Sequence, residues 1–454
     1  PSAALKTAAP KIAERTLPNG LRVIVAKTSD VPLVTAELTL RRVGFSDPKG
    51  LAGLGDMTTD LLQKGTTSRS ATQVAAEIEA AGGALKSETS YDGAGLTLTV
   101  LADQLSATLP IMADVARHPA FAPAELERLR RQKLDDLAVA LKQPGDLAAL
   151  TVPEVVFPND GGYGYPLGGT PASITRITRA DVAAAYARVF RPDGAILVLT
   201  GDIEPDAGFA LAAATFGDWK NPPERRPEFV HAFTAAPARV VVIDLPGAGQ
   251  AAVMLVAQTV GRNDPHYYAV RAINAVLGGG YSARLNEAVR VKRGLSYGAF
   301  SQIEARNGIG LFSADAQTKN ASAAEVAALV LDAAKTLGAA PVPPTEFAAR
   351  KASLVGRYGR AIDTSAGMAG VLTADALYGV DLKEVGLYQD RVDAVGAGEA
   401  QAAATLAVNP ATASLIVVGD AKAFIGPLKQ RFPDVQVIEA ANLDLDSATL
   451  QRGK

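Results

Sequence analysis

The side chains best placed for chemistry lie in the run Leu277-Gly278-Gly279-Gly280-Tyr281-Ser282-Ala283-Arg284-Leu285 and its continuation Glu287-Ala288-Val289-Arg290-Val291-Lys292-Arg293-Gly294-Leu295-Ser296-Tyr297. Arg290 offers a permanently charged fork of donors suited to carbonyl oxygens. Tyr297 offers a neutral hydroxyl donor. Residues Ala283 to Arg293 read as a helix with Leu285, Ala288 and Val289 on its buried side, Gly294 as its C-terminal stop, and Tyr297 opening the strand that follows. On that reading both side chains point into one cavity. The glycine run is not a phosphate loop, because it lacks the Gly-Lys-Ser/Thr ending and does not fit G-x-G-x-x-G. Tight turning, or close approach of a helix to a sheet, is what those glycines serve.

Other chemistry has little to draw on. The chain has no cysteine, which excludes disulfides, thiolate nucleophiles and Cys-ligated zinc. Its three histidines, His118, His231 and His266, are far apart. His118 precedes Pro119 at the end of an amphipathic segment and reads as a helix-terminal polar group. His231 falls in an apparent linker, and His266 in Asp264-Pro265-His266 at the start of a helix. Catalytic zinc usually takes three protein ligands, often locally spaced, and these three do not supply them.

The elements that must position the Arg/Tyr segment come in two copies. Ala195-Ile196-Leu197-Val198-Leu199-Thr200-Gly201-Asp202 is echoed by Ser414-Leu415-Ile416-Val417-Val418-Gly419-Asp420, and the same offset of 218 relates Pro192 to Pro410. Each copy is an alanine-rich helix, a proline turn, a short buried strand and a Gly-Asp stop. Pro123 with Glu125 and Pro344 with Glu346 likewise introduce two long helices at an offset of 221. Repeats this far apart are duplicated domains, since solenoid periods run from about 20 to 50 residues. The seam is the Pro-rich, charged Asn221-Pro222-Pro223-Glu224-Arg225-Arg226-Pro227, which gives domains at 1–220 and 237–454 joined by a linker at 221–236. Leu21–Ala26 and Leu96–Leu101 read as strands, Val34–Leu40 alternates with period two, and Ala71–Ala81 is a helix stopped by Gly82-Gly83. Strands beside blocks of helices make an α+β fold, each domain a mostly antiparallel sheet packed with helices. A net charge of −2 gives no electrostatic case for nucleic acid. No apolar run approaches the about 18 residues of a membrane span.

Taken together, these segments resemble the pitrilysin/insulysin family of zinc peptidases, in the subgroup of mitochondrial processing peptidase and its bacterial relatives. The likeness covers the strand after Asn19-Gly20, the segment from Gly50, the second-half glycine-rich run and both Gly-Asp strand ends. The family's zinc helix carries H-x-x-E-H. Here it falls on Gly50-Leu51-Ala52-Gly53-Leu54-Gly55-Asp56-Met57, so the three chemical positions are Gly53, Asp56 and Met57. Glycine has no side chain, and a thioether is a soft, neutral ligand poorly matched to hydrolytic zinc. The family's third ligand, a glutamate on a later helix, falls at Asp135 or Asp136, which read as surface charges beside Arg130, Arg131 and Lys133. The resemblance therefore implies no cofactor in this chain. Zinc would belong to a homologous partner subunit in a heterodimer, with Arg290 and Tyr297 matching the spacing of the family's substrate-binding pair. It also implies two homologous domains forming one half of a clamshell, a chain inactive alone, and peptides as substrates. The other role it allows is a non-catalytic scaffold or peptide-binding protein, related to respiratory-chain core subunits. The start at Pro1-Ser2-Ala3-Ala4, without methionine, suits a removed secretory signal, so the periplasm is the expected compartment and the cytoplasm the second choice.

Overall fold

The computed structural model describes residues 11–28, 31–158, 161–225, 233–234 and 236–452. His231 and much of the expected linker lie outside the described residues. The fold is α+β, with two compact units that each carry one six-stranded mixed sheet. The first sheet is built from β1 (Lys11–Thr16), β2 (Arg22–Lys27), β3 (Leu33–Arg41), β4 (Ala84–Thr89), β5 (Gly93–Leu101) and β6 (Ala195–Gly201). The second is built from β7 (Val240–Asp244), β8 (Ala251–Thr259), β9 (Ala299–Ala305), β10 (Gly310–Thr318), β11 (Ser414–Gly419) and β12 (Val435–Glu439). The orders are β1-β2-β6-β3-β5-β4 and β12-β7-β11-β8-β10-β9. Five positions correspond one to one, with β6 and β11 as the matched Gly-ended strands. Only the outer edge differs, where β1 runs antiparallel to β2 but β12 runs parallel to β7.

The matched strands β6 and β11 are buried along their whole length. That is why both read as continuous apolar runs without polar alternation: each has a parallel neighbour and side chains covered on both faces. In the first sheet, Ile24, Ala26, Ile196 and Val198 pack against Met368, Ala369, Leu372 and Ala376 of the helix Ser365–Tyr378. Thr35 and Thr200 bind that helix's first residue, the Thr200 hydroxyl donating to Ser365 O at 2.7 Å. By alternation Val25 and Leu199 face the other way, toward Gly208 of the helix Pro205–Phe216.

The units interleave along the chain and do not follow the halves 1–220 and 237–454. The first draws on the described residues of Pro1–Lys133, Leu167–Val230 and Gly356–Tyr388. The second draws on Leu134–Pro166, His231–Val355 and Gln389–Lys454. The second sheet is thus covered in part by a helix from the first half, Pro144–Val156, whose end is bound by Arg239 and Gln258 donating to Glu154 O and Val156 O at 3.2 and 3.0 Å. Among the described residues no helix is long and apolar enough to cross a membrane.

Candidate functional site

The segment aligned with the zinc helix forms the helix Leu54–Leu62 of the first unit. Its N-cap, Gly53, has φ +86°, a left-handed conformation that favours glycine. A Cβ there would stand 2.9 Å from the backbone of Gly168 and Gly169, so the position has no room even for the root of a histidine. Asp47 holds this helix start, accepting from Gly53 N at 2.9 Å and Gly55 N at 2.8 Å. Burial pushes the Asp47 carboxyl up to about 7 despite those two donors. Met57 is fully buried among core side chains.

Asp56 and Asp60 lie four residues apart, hence on one face of that helix. Between them sits the ammonium of Lys133, from the helix Pro123–Ala140, 2.5 Å from Asp56 Oδ2 and 2.8 Å from Asp60 Oδ2. The side chains of Lys133 and Asp56 are only 16% and 18% exposed. Burial raises the Asp56 carboxyl, with Lys133 offsetting part of the rise. Burial opposes the charge on Lys133, but two carboxylates outweigh it and hold the ammonium above the ordinary lysine range. The residues here do not fit zinc: one has no side chain, one is a core thioether, and the carboxylate is committed to a lysine. Among the described residues no group of three or more His, Cys, Asp or Glu is arranged to hold a metal.

Asp135 and Asp136, which the resemblance sets against the third ligand, are exposed on their helix and take no part in this cluster. Lys133, which reads in sequence as one of their surface neighbours, is the side chain that turns inward. The signal that could have found it is the i,i+4 pair of acids on a helix whose other face is apolar, which needs a counter-charge. His118 bonds Asp114 as the C-cap of the helix Leu105–Arg117, and His266 bonds Asp264 as the N-cap of Tyr267–Leu277, so both serve helix ends as expected.

The Arg/Tyr segment belongs to the second unit. A single long helix was expected over Ala283–Arg293; the chain instead makes a short α-turn, Arg284–Asn286, and then a π-helical turn, Glu287–Val291. Such turns are rare and collect at functional sites. Gly294, at φ +63°, closes the turn, with its N–H donating to Arg290 O at 2.8 Å. Tyr297 does not open the strand: β9 begins at Ala299, and Tyr297 stands at the tip of a turn in which Ser296 Oγ donates to Gly298 O at 2.6 Å. The residue is 90% exposed. No hydrogen bond to the phenol and no ion pair to the Arg290 guanidinium occurs among the described residues. Arg290 instead lies over the Tyr281 ring, 5.1 Å from its centroid.

The glycine run seats this segment against the sheet. A Cβ on Gly278 would stand 2.3 Å from Ser301 N, which donates to Gly278 O at 3.0 Å, and one on Gly279 would stand 2.6 Å from Ala275 Cα. Gly280 has nothing within 4 Å of its would-be Cβ. Gly278→Ala must push β9 off the helix Tyr267–Leu277 and should lower stability by about 1–3 kcal/mol, whereas Gly280→Ala should leave the thermal midpoint nearly unchanged. Equal midpoints for the two variants would show that the close approach is not what the run provides.

Comparison with known proteins bears on the family and the fold. Residues 22–161 match the family model described as insulinase (peptidase family M16), and residues 176–354 the one described as peptidase M16 inactive domain. An uncharacterized zinc protease of Mycobacterium leprae is 28% identical over 302 residues, which are 64% of this chain and 66% of that protein. One of Mycobacterium tuberculosis is 28% identical over 347 residues, 75% and 78% of the two chains. Among solved structures, a peptidase M16 inactive domain from Pseudomonas fluorescens matches with a TM-score of 0.84 at 23% identity, covering 90% of this chain and 98% of that one. A protease from Helicobacter pylori matches at 0.82 and 19%, covering 90% and 99%. The two solved structures establish the likeness of fold.

Proposed function

The chain belongs to the M16 peptidase family, and from that premise we propose that it is the non-zinc-binding subunit of a heterodimeric zinc peptidase, lending Arg290 and Tyr297 to a homologous zinc-bearing partner. One contrast carries the reading. The three positions set against the zinc motif are closed by a glycine without room for a side chain, a buried methionine and a lysine-bound aspartate, while the two donors of the second unit are exposed and, among the described residues, the phenol takes no hydrogen bond and the guanidinium no ion pair. A purely structural tyrosine gains nothing from near-complete exposure at the tip of a turn.

On this reading the metal and the general base belong to the partner. Arg290 donates to a carbonyl oxygen of the bound peptide as a charge-assisted pair. The Tyr297 hydroxyl donates to the oxygen that gains charge as the scissile carbonyl becomes tetrahedral, an interaction made mainly in the transition state. Extended peptides suit such a pair, since both contacts are to backbone oxygens and leave side-chain preference to other surfaces.

The test is purification of the native complex, metal analysis of each component, and assay with a quenched fluorescent peptide. The isolated chain should hold no stoichiometric zinc and cleave nothing, with hydrolysis appearing when the zinc-bearing subunit is added. Stoichiometric zinc in this chain, or peptide cleavage by it alone, overturns the proposal.

A further inference from the structure

We infer that Tyr281 is the positioning residue for Arg290, a deepening that rests on the function proposed above. Arginine is a long, flexible side chain, and holding its fork in one place requires either an ion pair or a surface to lie on. No ion pair to Arg290 occurs among the described residues. The surface is the face of Tyr281, with the guanidinium carbon 5.1 Å from the ring centroid. A ring face attracts a cation through its quadrupole while leaving the in-plane N–H donors free for a ligand. A carboxylate partner would occupy those same donors.

The platform is itself fixed from several directions. The ring of Tyr281 stands at right angles to that of Phe300 at the start of β9, with centroids 5.4 Å apart and rings at 88°. The buried Asn286 side chain donates to Tyr281 O at 2.6 Å and accepts from Ala299 N at 3.1 Å, which ties the tyrosine to the same strand. The next residue, Ser282, is held by Arg350 from the helix Pro344–Ile362, which donates to its hydroxyl at 2.9 Å and to its carbonyl. Tyr281 is nonetheless 66% exposed. A large aromatic side chain held through its backbone and by an aromatic neighbour, with an arginine over its ring, is a built support. The π-helical turn supplies the last element: the widened turn at Glu287–Val291 is where Arg290 leaves the helix for that ring.

Two measurements test this. In the isolated chain labelled with 15N-arginine, the Arg290 Nε–Hε resonance, assigned by its loss in Arg290→Lys, should carry a ring-current shift. That shift should vanish in Tyr281→Leu and persist in Tyr281→Phe, which keeps the π-face. In the mixed complex, Tyr281→Leu should lower kcat/KM for the fluorescent peptide about three- to tenfold, Tyr281→Phe should restore it, and Tyr281→Leu should have no further effect in an Arg290→Ala background. An Arg290 resonance unmoved by Tyr281→Leu, or two losses that simply multiply, overturns the positioning role. Full activity of Arg290→Ala would instead remove the proposed function and leave the resonance result to stand or fall separately.

Discussion

Tyr297→Phe should lower kcat of the mixed complex by about a hundredfold while leaving KM and the thermal midpoint of the chain almost unchanged. The asymmetry follows from where the hydroxyl is. It makes no hydrogen bond among the described residues and its ring is exposed, so the native fold loses nothing when one oxygen is deleted; surface substitutions of that kind stay within about ±0.5 kcal/mol. Removing one oxyanion donor, by contrast, typically lowers kcat by about 10²–10³. Arg290→Ala should act on both parameters, because a charged fork bound to a ground-state carbonyl contributes to affinity as well as to the barrier. At least a tenfold fall in kcat/KM is expected, again without loss of stability. The decisive measurement is steady-state kinetics on complexes reconstituted with each variant, with midpoints recorded in parallel. Unchanged kinetics in both would remove the two residues from the reaction. A fall in activity matched by a fall in stability would assign them to folding.

What could be read from the sequence divides by the range of the interaction that decides it. The strand pairs at Gly201 and Gly419 were legible because burial on both faces writes itself as a local apolar run, and the turn chemistry that ends them is local too. The helix at Ala71 was legible from its spacing and from the Gly82-Gly83 stop, and the structure adds the cap at its start, where Ser70 and Gln73 form a reciprocal pair. That Gly53, Asp56 and Met57 stand where the resemblance sets H-x-x-E-H is a matter of residue type and needs no structure. Long-range choices were not. Nothing in the spacing of Pro144–Val156 or Ser365–Tyr378 says which sheet each helix covers, because an apolar stripe fits either. The π-helical turn has no propensity signature distinguishing it from the helix expected over Ala283–Arg293. Tyr281 reads as one aromatic residue beside three glycines until Phe300 and Arg290 are placed around it. Lys133 is the sharpest case. It is 77 residues from Asp56, and only the packing of two helices turns a surface charge into a buried one.

That lysine carries the largest expected effect on stability. Lys133→Met keeps the length of the side chain and deletes the charge, leaving Asp56 and Asp60 facing each other with side chains 18% and 31% exposed. Breaking a buried pair by removing one partner typically costs about 3–5 kcal/mol, and the midpoint in urea should fall accordingly. The loss should depend on pH, in a direction fixed by linkage. In the wild type the lysine is raised, so its contribution is complete below the unfolded value of about 10.4 and is lost only as pH climbs through the higher folded value. Neutral pH leaves it intact. In the variant, Asp56 is already raised by burial and now lacks the cation that held it down, so its native pKa rises further. The native state then binds a proton that the unfolded chain, at about 3.9, does not, and the variant regains stability as pH falls through that raised native value toward the unfolded one. Asp47, pushed up to about 7, also titrates on acidification, but it is common to both proteins and largely cancels in their difference. The gap between wild type and variant should therefore narrow on acidification. Replacing all three groups together with apolar residues should recover much of the loss, since a well-packed apolar substitute for a buried ionic cluster is often neutral. A gap below about 1 kcal/mol at neutral pH, or one that widens as pH falls, would mean that the ammonium does not hold the two carboxylates together.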